Sequence, residues 1–339
     1  MNKIHPKVKD VKKIGIFRAL QLGDLLCVIP AIRALRAALP DAEITLISLP
    51  WATSLVTRFP QYFQNFIHFP GYPGLPEQPF NANASTVFKQ QIADAGFDII
   101  FQLQGNGSIV NAMWKEITDV TLAGFHSFGS YMNDEFFIEY PGGHESERHL
   151  AVMQHLGIRS CGTYLEFPAF PGDIIELDGL ALPVKPQKYV CIHPGSRGSQ
   201  RQWPPAYFAA LADICAAHNL QPVITGTSDE MSIVQQVIDH MNHEAITVAG
   251  KTTMGSMAQL VSECCLLISN CTGVAHIASA VRTRTIIISM DGEPERWAPT
   301  DRSLHAVFDW TRTQDFSMIA ATLREILGKI IAANNGTPV

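Results

Sequence analysis

The chain of 339 residues lacks the patterns that mark several large classes of protein. Its seven cysteines form no C-x-x-C pair, so no metal site is predicted, and reduced thiols in a cytosol are the simplest interpretation. No run of Lys and Arg stands out, and 25 basic against 31 acidic residues give a net charge of −6, which disfavours a nucleic-acid partner. No stretch of 18 apolar residues and no signal peptide is found, so we expect a cytoplasmic protein with at most peripheral membrane contact.

What the chain does contain is a regular alternation of strand and helix patterns, with 47% hydrophobic residues to form a large core. In the first half, strand patterns are found at 13–17, 42–48, 64–69 and 97–103, and helical patterns at 24–39, 86–95 and 147–156. Pro30 is expected to kink or restart the first helix. A Pro/Gly/Asn-rich loop at 71–85 follows the third strand and is long enough to suggest a functional segment. This order favours a parallel sheet with helices on both faces.

The pattern restarts after a proline-rich stretch at 167–188, which we interpret as a linker. Further strand patterns are found at 189–193, 221–225, 246–248, 265–269 and 285–289, and helical patterns at 205–218, 230–241, 256–263, 274–281 and 315–333. We predict two Rossmann-like doubly wound domains, residues 1–175 and 176–339, with a cleft between them. The last helix is expected to pack back on the first domain. Ligands of such sheets bind at the carboxyl ends of the strands.

The first strand end carries Arg18, Gln21, Gly23 and Asp24. Asp24 is expected at a helix start, where an aspartate commonly serves as the N-cap. The alternative is a general base that accepts a proton from a substrate hydroxyl. The residue pattern alone favours the cap slightly.

The next junction, HPGSRGSQRQWP at 193–204, is a small-residue loop with two arginines between a strand and a helix. Ser196, Arg197 and Arg201 suit a phosphate there, although an ordinary glycine-rich turn with solvated arginines is the alternative. His193 is expected to be packed and hydrogen-bonded. The sequence AGKT at 249–252 resembles the end of a Walker motif but lacks its earlier glycine, so a helix-start turn is predicted.

Two more strand ends carry polar residues. Asp229 or Glu230 could accept hydrogen bonds from ribose hydroxyls, or simply favour the first turn of a helix. In SNCTGVAHIASA at 269–280, the backbone N–H groups of Thr272, Gly273 and Val274 are expected to point out of a helix N-terminus, with His276 in its first turn. This is a natural place for a diphosphate, although a capped structural helix is as common.

In their order and spacing, IFRALQLGDLLCVIPAIRAL (16–35), HPGS…RQWP (193–204) and SNCTGVAHIASA (269–280) resemble glycosyltransferase family 9, the ADP-heptose:lipopolysaccharide heptosyltransferases and their relatives. The resemblance implies an α/β GT-B fold with the acceptor in the N-terminal domain and the nucleotide-sugar donor in the C-terminal one. It implies an inverting displacement without metal or other cofactor, and a glycan or lipopolysaccharide-core acceptor at the inner membrane.

Individual roles follow from the same resemblance. Asp24 matches the aspartate regarded as the base, and Arg18 and Gln21 lie on the acceptor side. On the donor side, the residues that match the family's phosphate, hydroxyl and ribose positions are Ser196, Arg201, Asp229 or Glu230, Thr272, Gly273 and His276. Arg197 and Val274 are added to the predicted donor site from their places in the loop and at the helix start. Arg201 stands where many members have a lysine, so the charge is kept but the geometry changes. The stretch 289–297 could border the base, with Trp297 stacking or packing.

Cys271 departs from the family pattern N-D-T/S-G-x-x-H by replacing its aspartate. The replacement leaves the backbone amides in place and removes a side-chain acceptor. The alternatives to a sugar transferase are therefore a non-catalytic nucleotide-sugar-binding protein and a GT-B epimerase or nucleotide-sugar hydrolase. A dinucleotide oxidoreductase is disfavoured, because no glycine fingerprint follows the first strand.

Overall fold

The computed structural model describes residues 4–130 and 135–334, and the chain divides into two compact units between Leu165 and Glu166. The boundary predicted at 175/176 falls further along, inside the helix Pro171–Gly179. Residues 1–3, 131–134 and 335–339 of the predicted domains lie outside the described part. Each unit has a parallel sheet of its own.

The first unit alternates strands with helices. Its strands are β1 Lys13–Phe17, β2 Glu43–Ser48, β3 Asn65–His68, β4 Ile99–Gln102, β5 Thr121–His126 and β6 Phe137–Glu139. Its helices are α1 Leu22–Ala38, α2 Thr53–Arg58, α3 Ala82–Ala95, α4 Val110–Ile117 and α5 Glu145–His155.

All strands of the first sheet are parallel, in the order β3-β2-β1-β4-β5-β6. The chain reverses direction across the sheet between β1 and β4, where Ile14 pairs with both Ile44 and Ile99. Gly15 of the central strand admits close packing, since a Cβ there would lie 3.0 Å from Ile100. The carboxyl ends of β1 and β4 therefore form a topological switch point, where such sheets bind their ligands.

The second unit repeats the plan. Its strands are β7 Tyr189–His193, β8 Gln221–Ile224, β9 Ile246–Thr247, β10 Leu266–Asn270, β11 Thr285–Ser289 and β12 His305–Asp309. Its helices are α6 Pro171–Gly179, α7 Pro205–Ala217, α8 Met231–His240, α9 Met254–Glu263, α10 Gly273–Ala280, α11 Pro294–Trp297 and α12 Phe316–Asn334. The parallel order β12-β11-β10-β7-β8-β9 places the corresponding switch point between β7 and β10.

The predicted elements are found in order, and two local predictions need correction. The stretch interpreted as a linker contains α6, which packs Leu177 into a core with Met257 and Leu260 of α9. Helix α1 is continuous through Pro30, which excludes the predicted restart and leaves the predicted kink a prediction. Helix α3 begins earlier than the apolar pattern suggested, because the side chain of Asn81 accepts a hydrogen bond from Ala84 N–H at 3.0 Å and caps it.

Six further elements were not predicted from the pattern, namely α2, α4, β5, β6, α11 and β12. The stretch 110–126 contains α4 and β5, and β12 forms the edge of the second sheet. Helix α12 buries Ile319, Leu323 and Leu327 in the second unit's own core, beside α7. Its predicted packing on the first domain stays a prediction. Within the described residues, no helix is both long and apolar enough to cross a membrane.

Candidate functional sites at the two switch points

At the switch point of the first unit, a fully buried arginine joins the ends of β1 and β4. Arg18 follows β1, and its Nη1 donates to the carbonyl of Leu103 after β4. Its own carbonyl accepts from Ser48 Oγ at 2.6 Å, and the N–H of Ala19 donates to Gln104 Oε1 at 2.7 Å. The sequence assigned Arg18 to the acceptor side. In this structure its guanidinium is fully buried and binds other protein groups, and its assignment to the acceptor side stays a prediction.

The arginine also holds the start of α1. Its Nε donates to the backbone carbonyl of Asp24 at 2.7 Å, and its Nη2 lies 3.3 Å from Asp24 Oδ1. Asp24 is the third residue of the helix rather than its N-cap. The N-cap is Gln21, whose N–H donates to Asp24 Oδ2 at 3.2 Å. The aspartate thus has a capping role and still keeps 21% of its side chain exposed, enough for contact with a bound hydroxyl.

At the switch point of the second unit, Asn270 fastens the loop 194–203 (the 194–203 loop) to the end of β10. The side chain of Asn270 is buried. Its Nδ2 donates to the carbonyls of Pro194 at 2.7 Å and Gly195 at 3.3 Å, and its Oδ1 accepts from Trp203 N–H at 3.0 Å. One side chain therefore holds both ends of the loop. Sequence reasoning did not select Asn270, although its place at a strand end before a helix was a signal.

The hydroxyl and amide groups that the sequence predicted to bind a diphosphate lie in the 194–203 loop and at the start of α10, which follow β7 and β10. Ser196 Oγ and Thr272 Oγ1 are both inaccessible to solvent and have no hydrogen-bond partner in the described part of the chain. Thr272 is the N-cap of α10, so the first N–H groups of the helix, from Gly273 and Val274, have no intrahelical acceptor. Unsatisfied donors of this kind are what an anionic ligand would satisfy.

A carboxylate lies near Cys271, the position at which the resemblance described above implies an aspartate. Asp291, after β11, accepts from Arg201 Nη2 at 2.5 Å and from Ser289 Oγ at 2.9 Å. The same Arg201 nitrogen lies 3.5 Å from the carbonyl of Cys271. Arg201 is therefore held at the N-terminal end of α10 with about a third of its side chain exposed. Asp291 lies in the stretch 289–297 that the sequence placed beside the base, but it was not singled out, because no helix or strand pattern marks its position.

The remaining predicted donor residues are not equally placed. Glu230 packs its carboxylate on Gly195, where a Cβ would overlap it, and accepts from Thr227 N–H at 2.8 Å. Asp229 is exposed, and so is Arg197 at the outer part of the 194–203 loop. His276 is buried in α10, with its ring 6.5 Å from that of Trp297. Of the two acidic candidates, Glu230 is thus the one beside the loop.

His193 and the AGKT stretch have structural roles, as expected. The Nδ1 of His193 lies 2.9 Å from Thr225 Oγ1, and burial lowers the pKa of this histidine, which keeps it neutral. Thr253 caps α9 by accepting from Ser256 N–H at 3.2 Å, so AGKT leads into a capped helix start. The described residues contain no cluster of three or more His, Cys, Asp or Glu suited to a metal ion.

The thiol of Cys271 is not poised for nucleophilic chemistry. Burial, assisted by the charge of Asp291, raises the pKa of Cys271 to about 12. We expect iodoacetamide at pH 8 to modify one thiol in the native protein, that of the exposed Cys161, and seven after denaturation, counted by intact mass. Cys161→Ser should abolish native labelling. A native adduct mapped to Cys271 by peptide mass would contradict this account.

Comparison with known proteins identifies the family. A family model described as glycosyltransferase family 9 (heptosyltransferase) matches residues 86–321, more than two thirds of the chain. The chain belongs to glycosyltransferase family 9. It is therefore a glycosyltransferase, and its two parallel sheets are those of a GT-B fold, as predicted.

Individual relatives are distant. Lipopolysaccharide heptosyltransferase 3 of Escherichia coli is 24% identical over 295 residues, which cover 83% of this chain and 84% of the relative. Among solved structures, a glycosyl transferase family 9 protein from Veillonella parvula superposes with a TM-score of 0.74 at 19% identity, covering 94% of this chain and 91% of that one. The E. coli ADP-heptose lps heptosyltransferase II gives 0.72 at 16% identity, covering 94% and 99%. At these identities the structures establish the fold alone.

Proposed function

We propose that this glycosyltransferase moves a heptose from ADP-heptose to a hydroxyl of a lipopolysaccharide-core glycan, in the cytoplasm or at the inner-membrane surface. The observation that supports the proposal is the arrangement of groups at the start of α10 in the second unit. There Arg201 and the open N-terminus of α10 adjoin the Thr272 hydroxyl, which has no hydrogen-bond partner among the described residues. The names of the relatives supply the sugar and the nucleotide.

In the proposed reaction, Asp24 accepts the proton of the acceptor hydroxyl as its oxygen bonds to the anomeric carbon of the heptose. The bond from that carbon to the diphosphate breaks, ADP leaves, and the anomeric configuration inverts. The negative charge that develops on the leaving diphosphate is met by Arg201, by the N–H groups of Gly273 and Val274 and by the α10 dipole. We propose that the transfer proceeds without a metal ion or other cofactor.

The other donor residues take supporting roles in this proposal. Ser196 and Thr272 hydroxyls bind phosphate oxygens, and Glu230 accepts hydrogen bonds from the ribose. His276 adjoins the helix start on which the diphosphate rests. Arg197 and Asp229, both exposed, are assigned to the outer edge of the donor site. Gln21 stays on the acceptor side through its place beside Asp24.

The test is calorimetric titration of the protein with ADP, GDP and UDP, without added metal. We expect micromolar binding of ADP and much weaker binding of the others. Arg201→Ala should weaken ADP binding about 10- to 100-fold, because a charge-assisted hydrogen bond to phosphate is lost. Arg324→Ala removes the same charge from the exposed face of α12 and should leave the affinity unchanged.

Two outcomes would contradict the proposal. Equal ADP affinity in the wild type and in Arg201→Ala would remove this arginine from the donor site. Release of ADP from ADP-heptose at the same rate with and without a glycan acceptor would indicate a nucleotide-sugar hydrolase instead of a transferase.

A further inference from the structure

Beneath the start of α1 lies a group of buried charges that the proposed reaction does not use directly. Arg18 is fully buried, and Glu145, the first residue of α5, is 1% exposed. Arg18 Nη2 donates to Glu145 Oε1 at 3.0 Å, while the same nitrogen lies 3.3 Å from Asp24 Oδ1. One guanidinium nitrogen therefore stands between two carboxylates, one buried and one partly exposed.

Glu145 is itself held from several sides. Arg148 Nη1 donates to its Oε2 at 3.2 Å, and Tyr140 Oη donates to the same oxygen at 3.2 Å. His149 Nε2 lies 3.5 Å from Oε1, but burial lowers the pKa of His149 to about 4, so this imidazole is neutral at physiological pH. The charged groups named here are the guanidiniums of Arg18 and Arg148 and the carboxylates of Asp24 and Glu145.

We infer that Glu145 is a positioning residue for Asp24, holding Arg18 in place and sharing its positive charge. The inference rests on the proposed role of Asp24 as the base. A buried cation needs a counter-charge, and Glu145 is the less exposed of the two available carboxylates in this group. Because Glu145 meets much of that need, Arg18 can orient the Asp24 carboxylate without suppressing its capacity to take a proton.

This arrangement predicts that removal of the Glu145 charge makes Asp24 a weaker base. Without the charge of Glu145, Asp24 is the main carboxylate left near Arg18 to compensate its positive charge. A carboxylate beside an uncompensated guanidinium keeps its charge more strongly and is a weaker base. Arg148 loses its partner too, and its positive charge acts in the same direction. His149 and Tyr140 are neutral, so they do not offset this increase in positive charge near Asp24.

The test is Glu145→Gln, which preserves shape and hydrogen-bonding capacity, beside Glu147→Gln as the matched control. Glu147 is in the same first turn of α5 and is exposed, so both variants remove one charge from the same helix end. In transfer assays across pH, Glu145→Gln should move the midpoint of the acid limb of kcat down by on the order of one pH unit. Its kcat on the plateau should fall about 10-fold, with ADP affinity unchanged. Glu147→Gln should behave as the wild type.

A merely structural role would give another result. In that case Glu145→Gln would lower the unfolding temperature and the active fraction but leave the midpoint of the acid limb of kcat unchanged. That outcome would overturn the inference. Rescue is checked with Glu145→Asp, which retains the charge and should return the limb toward its wild-type position.

A second measurement does not depend on transfer. In protein labelled with 13C at aspartate carboxyls, the Asp24 resonance, assigned by its loss in Asp24→Asn, should titrate at lower pH in Glu145→Gln than in the wild type. If no transfer is found with any donor, the proposed function fails while this titration still decides the inference. An unchanged Asp24 titration would overturn the inference even if transfer is observed.

Discussion

Asp24→Asn should reduce the rate of sugar transfer by about 10²- to 10⁴-fold, which is the usual contribution of a general base. Asparagine retains an oxygen that can accept from Gln21 N–H and from Arg18, so the helix start and the arginine keep their contacts. What is lost is the capacity to take the acceptor proton. The measurement is kcat for transfer from ADP-heptose at saturating donor, together with ADP affinity and the unfolding temperature.

The affinity for ADP should stay unchanged in this variant, because Asp24 lies in the first unit and the diphosphate groups of the proposal lie in the second. Asp41→Asn provides the control, since it removes an exposed carboxylate from the same unit. A kcat for Asp24→Asn within about threefold of the wild type, far short of the contribution of a general base, would leave Asp24 with its capping role alone. The search for a base would then move elsewhere.

The fold was largely predictable because both sheets are built from short, mostly apolar strands. The pattern YVCIH at 189–193 gives β7, and TIIIS at 285–289 gives β11, each buried along its whole length. Parallel strands buried on both faces read as continuous apolar runs, and their alternation with helical periodicity identifies the doubly wound plan. The linker prediction at 167–188 was wrong because four prolines and little periodicity suggested a loop, whereas Pro171 occupies the first turn of α6, where proline is favoured.

Candidate site residues could be predicted where they lie at a strand end or a helix start that the sequence pattern reveals. They could not be predicted where their place depends on contacts with residues distant in the sequence. Thr272 and Gly273 follow a strand and open a helix, so their place at α10 could be predicted directly. The partners of Arg18 could not, because Leu103 and Glu145 are far away in sequence and no local pattern connects them. Asp291 likewise reaches Arg201 across 90 residues of chain. Asp291 thus provides a carboxylate near Cys271, where the family resemblance implies an aspartate.

Replacement of Asn270, whose side chain holds both ends of the 194–203 loop, should have the second large effect, a loss of stability. Asn270→Ala removes the acceptor of Trp203 N–H and the donor to Pro194 and Gly195 in a buried place. Leaving such groups unsatisfied costs about 1–3 kcal/mol for each. Trp203 is fully buried, with rings of Phe208 and Trp310 at 5.1 and 5.3 Å, so its backbone has little freedom to find another partner. We expect the unfolding midpoint of the second unit to fall by about 5–10 °C.

The same substitution should also weaken ADP binding about 10-fold or more, measured well below the unfolding transition. Asn270 is the group that fixes both ends of the 194–203 loop, and Ser196 and Arg201 can meet a diphosphate together only while that loop keeps its shape. Asn242→Ala is the control, because it removes an exposed asparagine that donates to Asp213 at 2.9 Å in the same unit. Unchanged ADP affinity in folded Asn270→Ala would mean that the loop holds its conformation through its own contacts, such as Gln202 Nε2 donating to the Ser196 carbonyl at 3.0 Å. A loss of affinity without loss of fold would instead show that a single buried amide gives the donor site its geometry.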